Sequence, residues 1–581
     1  MADNNKENVL LNRRQMVSGI GAAAVAGLAG CSGDGGDTTT APTEGGDGGD
    51  GDDGMDTTVP PEELGKLRMA LVKSPLDMDP IVANDVPSTM VIDRVVEGLY
   101  AYDEGTGVVP NMADGKPEVN DDGTQWTVNL KDDPRPTFHN GNNVTPEDVK
   151  YSFKAPVEDE TENASELNMI DSIETPDETT IVFNLKYPYG AFQTALTWYV
   201  VPKDVRGPEL GFEGEGDERT LKDKEKKDAF NTGDALTGSG AFVFDSWQEG
   251  QHATLMRNDD YWGEPMARLS EVKMVPVEEP TTRVTTLQNE ENDIVEEIPP
   301  KMYSTVQGME EAEVQQVPGI GYFYLAFNCK EGPTTDPTVR EAVDYCFSMD
   351  AAVENYVEPT GLRQYAPTPK PITEDWGFPL DEWKQIPHDK NIDKAKELFE
   401  EAGVSMDYQW NIIVPPDDKR EQIGVSVSNG LQEAGFNNVE VQRLDWGAFL
   451  DKYITGDPND YNMYTLGWSG TPDPDAFTYY LFGRTEDTLG VTNGTFYGNN
   501  SDRGKEAAQK FLDARKSADH EERKQLYIDG ITMALEDRAH IPGYNLKNSY
   551  GVRNYVKDFQ EHAVDGFHIS TDHNNTYIEG K

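Results

Sequence analysis

The sequence predicts an α/β architecture assembled from more than one folded unit, and a few observations predict it. Stretches of strand periodicity alternate with stretches of helix periodicity, without an internal repeat. A length of 581 residues suits about two to four domains and leaves room for a cleft between lobes. Apolar residues make up 36% of the chain, with 25 Tyr, 21 Phe and 9 Trp spread along it, so a core forms in spite of a formal charge of -56.

Taken in order, the N-terminal segment is an address rather than structure. Residues 1–31 carry Asn12-Arg13-Arg14-Gln15-Met16-Val17, then an uncharged apolar run, then Leu28-Ala29-Gly30-Cys31. The run is shorter than the ~20 residues a membrane-spanning helix needs, and it reads as a signal behind a twin-arginine pair. The Leu-Ala-Gly-Cys box resembles a lipoprotein cleavage site, which would make Cys31 the lipidated first residue of the mature chain. Residues 32–63 follow as an acidic Gly/Asp/Thr tether with no core-forming content.

The folded part starts at about Leu64. Trp126–Leu130 and Tyr322–Asn328 have strand patterns. Thr145-Pro146-Glu147-Asp148 is a helix start, with Thr as cap, Pro in the first turn and Asp148 closing the capping box. Asp336-Pro337 starts a second helix, whose apolar face is Val339, Ala342, Val343, Cys346 and Phe347. Asn391 starts a third, with Ile392, Ala395, Leu398, Phe399 and Ala402 on one side and Gly403 as the stop. Cys329 and Cys346 lie in no disulfide-rich context and read as buried free thiols.

Charge narrows the partners. With 106 acidic against 50 basic residues the surface repels nucleic acid and anionic lipid. Acidity of this size resembles that of proteins from salt-loving microbes, in which screening tames self-repulsion and carboxylates hold water. Enzyme signatures fit poorly. Gly467-Trp468-Ser469-Gly470-Thr471 misses the G-x-S-x-G elbow, no HExxH pair occurs, and no phosphate-binding loop is present. His568 and His573, near the C-terminus, read as surface residues.

Several segments in order resemble the large extracytoplasmic solute-binding proteins of the peptide and nickel ABC-importer family. They are QWTVNLKDDPRPTFHNGNNVTPEDVKYSF from Gln125, TGSGAFVFDSWQEGQHATLMRNDDYWG from Thr237, RVTTLQNEENDI from Arg283 and YLAFNCKEGPTTDPTVREAVDYCFSMDAAV from Tyr324. NIDKAKELFEEAGV from Asn391 and GWSGTPDPDAF from Gly467 complete the series. The resemblance implies a type II periplasmic-binding-protein fold: two α/β lobes with mixed sheets, joined by a hinge, with an enlarged lobe I. Lobe I would span 64–310 and 541–581, and lobe II 311–540. It also implies a monomer without cofactor, which delivers its solute to a permease powered by a separate ATPase and touches the membrane only through its lipid anchor.

The same resemblance places GWSGTPDPDAF in the lobe II cleft. A strand ending there could accept an extended peptide as an added strand, with Gly467 permitting close approach. By resemblance Gly467 and Ser469 would bond the ligand backbone, Trp468 would line a side-chain pocket, and Val86 would touch peptide from lobe I. Peptide-binding members place an aspartate for the ligand's ammonium where this chain has Thr471; Asp473 could take that role, or the solute lacks a free amine. Pro474 and Asp475 read as turn formers. Arg363 lies near a region where some members bind a ligand carboxylate, and a surface ion pair is the alternative. A tethered hydrolase and a nickel or metallophore receptor of the same fold stand as alternative functions, although no His lies near the Trp468 segment.

Overall fold

A computed structural model describes residues 64–207, 212–213, 220–222, 236–483 and 494–580. The signal, the lipobox at Cys31 and the tether lie outside the described residues. Helices begin where side chains can satisfy the free N–H groups of a first turn. Thr145 and Asp148 form the reciprocal capping box on Pro146–Glu158, Asp336 caps Pro337–Asp344, and Asn391 caps Ile392–Glu401. The faces they present are apolar: Val339, Ala342, Val343, Ala395, Leu398 and Phe399 are buried. Cys329 and Cys346 are buried and free.

The central feature is a twelve-stranded mixed sheet. Its strands are β1 (Gly65–Leu71), β2 (Phe242–Gln248), β3 (His252–Arg257), β4 (Leu269–Pro276), β5 (Ile294–Glu296) and β6 (Ala312–Pro318). They continue with β7 (Gly321–Phe327), β8 (Gly361–Arg363), β9 (Trp410–Val414), β10 (Val439–Arg443), β11 (Met463–Ser469) and β12 (His540–Arg553). The order across the sheet is β2-β3-β4-β1-β5-β12-β7-β11-β9-β10, with β6 and β8 also paired to β12. A separate four-stranded antiparallel sheet, which includes Gln125–Asn129 and Thr180–Leu185, extends the first half of the molecule.

Strand β12 explains how one sheet serves two lobes. Its first half, His540–Leu546, pairs with β7 and β8; its second half, Lys547–Arg553, pairs with β5 and β6. The side chains divide in the same way. Ile541 and Tyr544 join a core built on Tyr322–Phe327, Trp410 and Phe511, whereas Tyr550 and Val552 join a core built on Leu67, Trp126, Phe183 and Phe567. A fully buried aromatic or aliphatic side chain contributes about 1.5–3 kcal/mol, so each lobe has its own source of stability. Among the described residues no helix is long and apolar enough to cross a membrane.

Candidate functional site

Between the two cores lies a cavity of about 1450 Å³. The first lobe supplies Val86, Tyr102, Tyr199 and the C-terminal segment around His568, while the second supplies Lys419, Ser469, Thr471 and Tyr480. Strand β11 reaches it because its neighbour stops early. β9 pairs with β11 only at Met463 and Tyr464, since the chain then turns at Pro415-Pro416, which has no N–H to continue a ladder. The other edge of β11 is taken along its whole length by β7, from Gly321 opposite Ser469 to Phe327 opposite Met463. Among the described residues, the β9-side edge of Thr465–Ser469 therefore carries no strand partner.

The residues singled out in the sequence fall into two layers. Val86, at the start of the helix Val86–Ile92 capped by Asp85, lines the cavity, as do Ser469 and Thr471. Gly467, Trp468, Asp473 and Arg363 stand behind the wall. A Cβ on Gly467 would lie 2.4 Å from the Phe323 ring, so the close approach this glycine permits is made by the protein's own aromatic. Trp468 is buried in the second core, where its Nε1 donates to the Ala476 carbonyl at 2.7 Å and its ring lies 5.6 Å from that of Tyr480. Ala476 and Tyr480 both face the cavity, so the tryptophan supports the wall from behind.

Asp473 is 5% exposed and accepts from Arg523 Nη2 at 2.7 Å and from the Asp475 N–H at 2.8 Å. Its carboxylate is thus committed within the protein. The turn role of Asp475 is accompanied by an ion pair to Arg515, and burial pushes its carboxyl up to about 6 against the opposing pull of that arginine. Arg363 pairs with Asp350, donates to the carbonyls of Gln364, Pro542 and Gly543, and lies over the Tyr365 ring at 4.2 Å. It braces the joint between β8 and β12 and does not line the cavity.

The same region joins the lobes. The first-lobe tip Tyr189-Gly190 seats between helices Asp502–Lys516 and His520–Glu536. Gly190 N–H donates to Arg515 O at 2.9 Å, Arg523 Nη1 donates to Gly190 O at 3.1 Å, and Tyr189 OH lies 3.4 Å from Asp475 Oδ2. A second contact runs from the Thr106 N–H to Asp375 Oδ2 at 3.0 Å.

Sequence reasoning missed the C-terminal segment as a cavity wall. His568 is 6% exposed and lines the cavity, contrary to the expected surface position, whereas His573 is exposed at the rim. Their signal was diluted in a polar stretch without periodicity. His562, Asp565 and His568 bring ligand-type atoms within 4.8 Å of one another. They do not fit a metal well: His562 Nδ1 takes the Val564 and Asp565 N–H groups, and its Nε2 faces the Asp103 carbonyl at 2.9 Å. Only two donors would be left.

Two separately cored α/β lobes around a central cavity, joined through β12, make the architecture of a periplasmic-binding-protein-like fold. Residues 107–488 match the family described as bacterial extracellular solute-binding proteins, family 5 Middle. The chain belongs to that family. It is 25% identical over 523 residues to the oligopeptide-binding protein AppA of Bacillus subtilis, covering 86% of this chain and 90% of that one. It is 24% identical over 480 residues to the glutathione-binding protein GsiB of Pectobacterium atrosepticum, covering 78% and 83%. Its fold superposes with a TM-score of 0.66 on the periplasmic binding protein DppA of Helicobacter pylori in complex with the peptide STSA, at 22% identity over 89% of this chain and 98% of that one.

Proposed function

We propose that the mature chain is a lipid-anchored extracytoplasmic receptor that encloses a peptide or similar small solute and passes it unaltered to an ABC importer permease with its separate ATPase. The observation that carries this reading is the cavity between two independently cored lobes, reached by the end of β11 at Ser469. An extended peptide laid there would gain main-chain hydrogen bonds from the end of β11 at Ser469 and from the Gly470-Thr471 step that follows, with Val86 flanking it. Gly467, Trp468 and Asp473 shape that edge from behind, and Arg363 steadies the strand junction. The family relatives named for oligopeptide and glutathione binding support a peptide-like solute.

The two lobes, expected as 64–310 with the return from 541 and as 311–540, are proposed with their joints a few residues further on, at Gly319-Ile320 between β6 and β7 and at Leu546–Lys547, where β12 changes partners. Closure seats Tyr189-Gly190 between Arg515 and Arg523, and a solute drives it by its preference for the closed form. Cys31 anchors the chain after twin-arginine export, residues 32–63 give it reach, and the net negative charge suits a saline medium. Nickel or metallophore capture would need donors beyond Asp565 and His568, because both His562 nitrogens are engaged.

The reading is tested by incubating the protein with mixed peptides and, separately, chromogenic esters and glycosides. Stoichiometric retention of a peptide whose mass is unchanged on release is expected. Multiple turnover of any of these substrates would replace the receptor with a tethered hydrolase.

A further inference from the structure

We propose that His568 and Ser570 form a subsite in the first-lobe wall that receives a protonated amine of the bound solute; this rests on the receptor reading above and specifies what one end of the cavity recognises. Strand Gly566–His568 pairs antiparallel with Gln560–His562, so the C-terminal segment is fixed against the cavity. Beyond the end of that strand the chain runs along the wall, and both His568 and Ser570 line the cavity. His568 Nδ1 and Ser570 Oγ are buried and meet no hydrogen-bond partner among the described residues. Buried polar atoms are seldom left in that state, so each calls for a partner from the cavity.

The ring geometry says which kind. His568 Nε2 lies 3.1 Å from Asp565 Oδ2, and a carboxylate only accepts, so Nε2 carries the proton. In the neutral ring Nδ1 is then an unprotonated lone pair in the cavity wall, and a solute that reaches it must supply the N–H. His562 stacks on His568 at 4.1 Å with 18° between planes and holds the ring's orientation. Asp565 acts as a positioning residue that fixes the tautomer.

Charge around the subsite favours a cation. Acidic side chains outnumber basic ones in the cavity lining, with Glu264 and Asp572 on the first-lobe side. Nearby Arg94 donates from Nη2 to the carbonyls of Phe567 and Asp565, pairs through Nη1 with Asp93 Oδ2 at 3.5 Å and lies over the Phe567 ring at 4.0 Å, so it secures the segment's backbone. Arg283 is bonded to the carbonyls of Val277, Glu296 and Glu297, and Arg515 to Asp475. A carboxylate at His568 would need an imidazolium and would face those acids, whereas an ammonium meets two acceptors in a negative field.

The test is equilibrium dialysis of the full chain in ~2 M KCl, which screens non-specific attraction. The probes are a tryptic digest of casein and the same digest acetylated at its amines, read by mass spectrometry. Free-amine peptides should be retained at least tenfold better than acetylated ones. His568→Phe should abolish that preference, His568→Gln should keep part of it through its amide oxygen, and Ser570→Ala should reduce it. Equal retention of both digests by the wild type, or an undiminished preference in folded His568→Phe and Ser570→Ala, overturns the subsite and leaves the receptor reading intact. If neither digest is retained, the peptide reading fails and spermidine with its triacetyl derivative decides the subsite. Selective retention of spermidine that His568→Phe removes upholds it, and no retention overturns it.

Discussion

Replacing Gly190 by alanine should hold the lobes apart without unfolding either. A Cβ at this position would lie 2.0 Å from the Ser517 carbonyl and 2.8 Å from Arg523 Cδ, and the carbonyl belongs to backbone that cannot swing away. The tip must then withdraw, losing the bond from Gly190 N–H to Arg515 O, the bond from Arg523 to Gly190 O, and the approach of Tyr189 OH to Asp475. A neutral hydrogen bond is worth about 1 kcal/mol net and one to a charged group about 1.5–3 kcal/mol. The closed form should thus lose roughly 2.5–4 kcal/mol, which raises the apparent Kd for solute roughly 60- to 700-fold by population shift. Both cores are untouched, so the melting temperature should hold. The assay is calorimetric titration of a peptide that the wild type retains, with Gly447→Ala as control, since a methyl there meets nothing nearer than 3.5 Å. Unchanged affinity in Gly190→Ala, or a loss equal to that of the control, would refute docking of this tip as part of closure.

Other perturbations separate wall from core and charge from packing. Trp468→Ala removes a buried indole bonded to Ala476 O, and should cost about 3–5 kcal/mol of stability by thermal or denaturant melting; a stable variant with weakened binding would return Trp468 to the ligand's side. Burial pushes the Glu296 carboxyl up to about 7 from an ordinary 4.5, against the opposing bond from Val72 N–H. The folded state thus favours the protonated form, and this contribution is complete below about 4.5 and lost as pH rises through 7. Melting temperature followed against pH should accordingly fall across that window in the wild type relative to Glu296→Gln; parallel profiles would contradict the assignment. Moving the protein from ~2 M to ~0.1 M KCl should lower its melting temperature in circular dichroism, because like charges in a net charge of -56 then repel one another out to ~10 Å before screening takes over; an indifferent melt would remove the saline adaptation.

Local chemistry was legible in the sequence, and the second layer of the site was not. Thr145 with Asp148, Asp336-Pro337 and Asn391 each announce a helix through cap residues, and each helix starts there. Tyr322–Asn328 reads as a strand and is one over Gly321–Phe327. The strand leading to Ser469 was also legible, but whether Gly467 serves a ligand or the Phe323 ring depends on a partner strand over 140 residues away in sequence. Asp473 reads as a free carboxylate until Arg523 is folded onto it. Arg363 likewise depends on Asp350 and on carbonyls of β12. His568 carries no periodic or motif signal, and only the return of the chain through β12 brings it to the cavity.

The central claim is that two lobes close on a solute. Spin labels on cysteines at Glu264, on the first-lobe rim, and at Tyr356, on the second-lobe rim, measure this by double electron–electron resonance, since both positions are exposed and border the cavity. Cys329 and Cys346 are buried and stay unlabelled, and Cys31→Ser removes the remaining thiol. Addition of the casein digest should shorten the distance and narrow its distribution, and Gly190→Ala should blunt both changes. A distance that stays fixed while peptide is demonstrably bound would contradict closure.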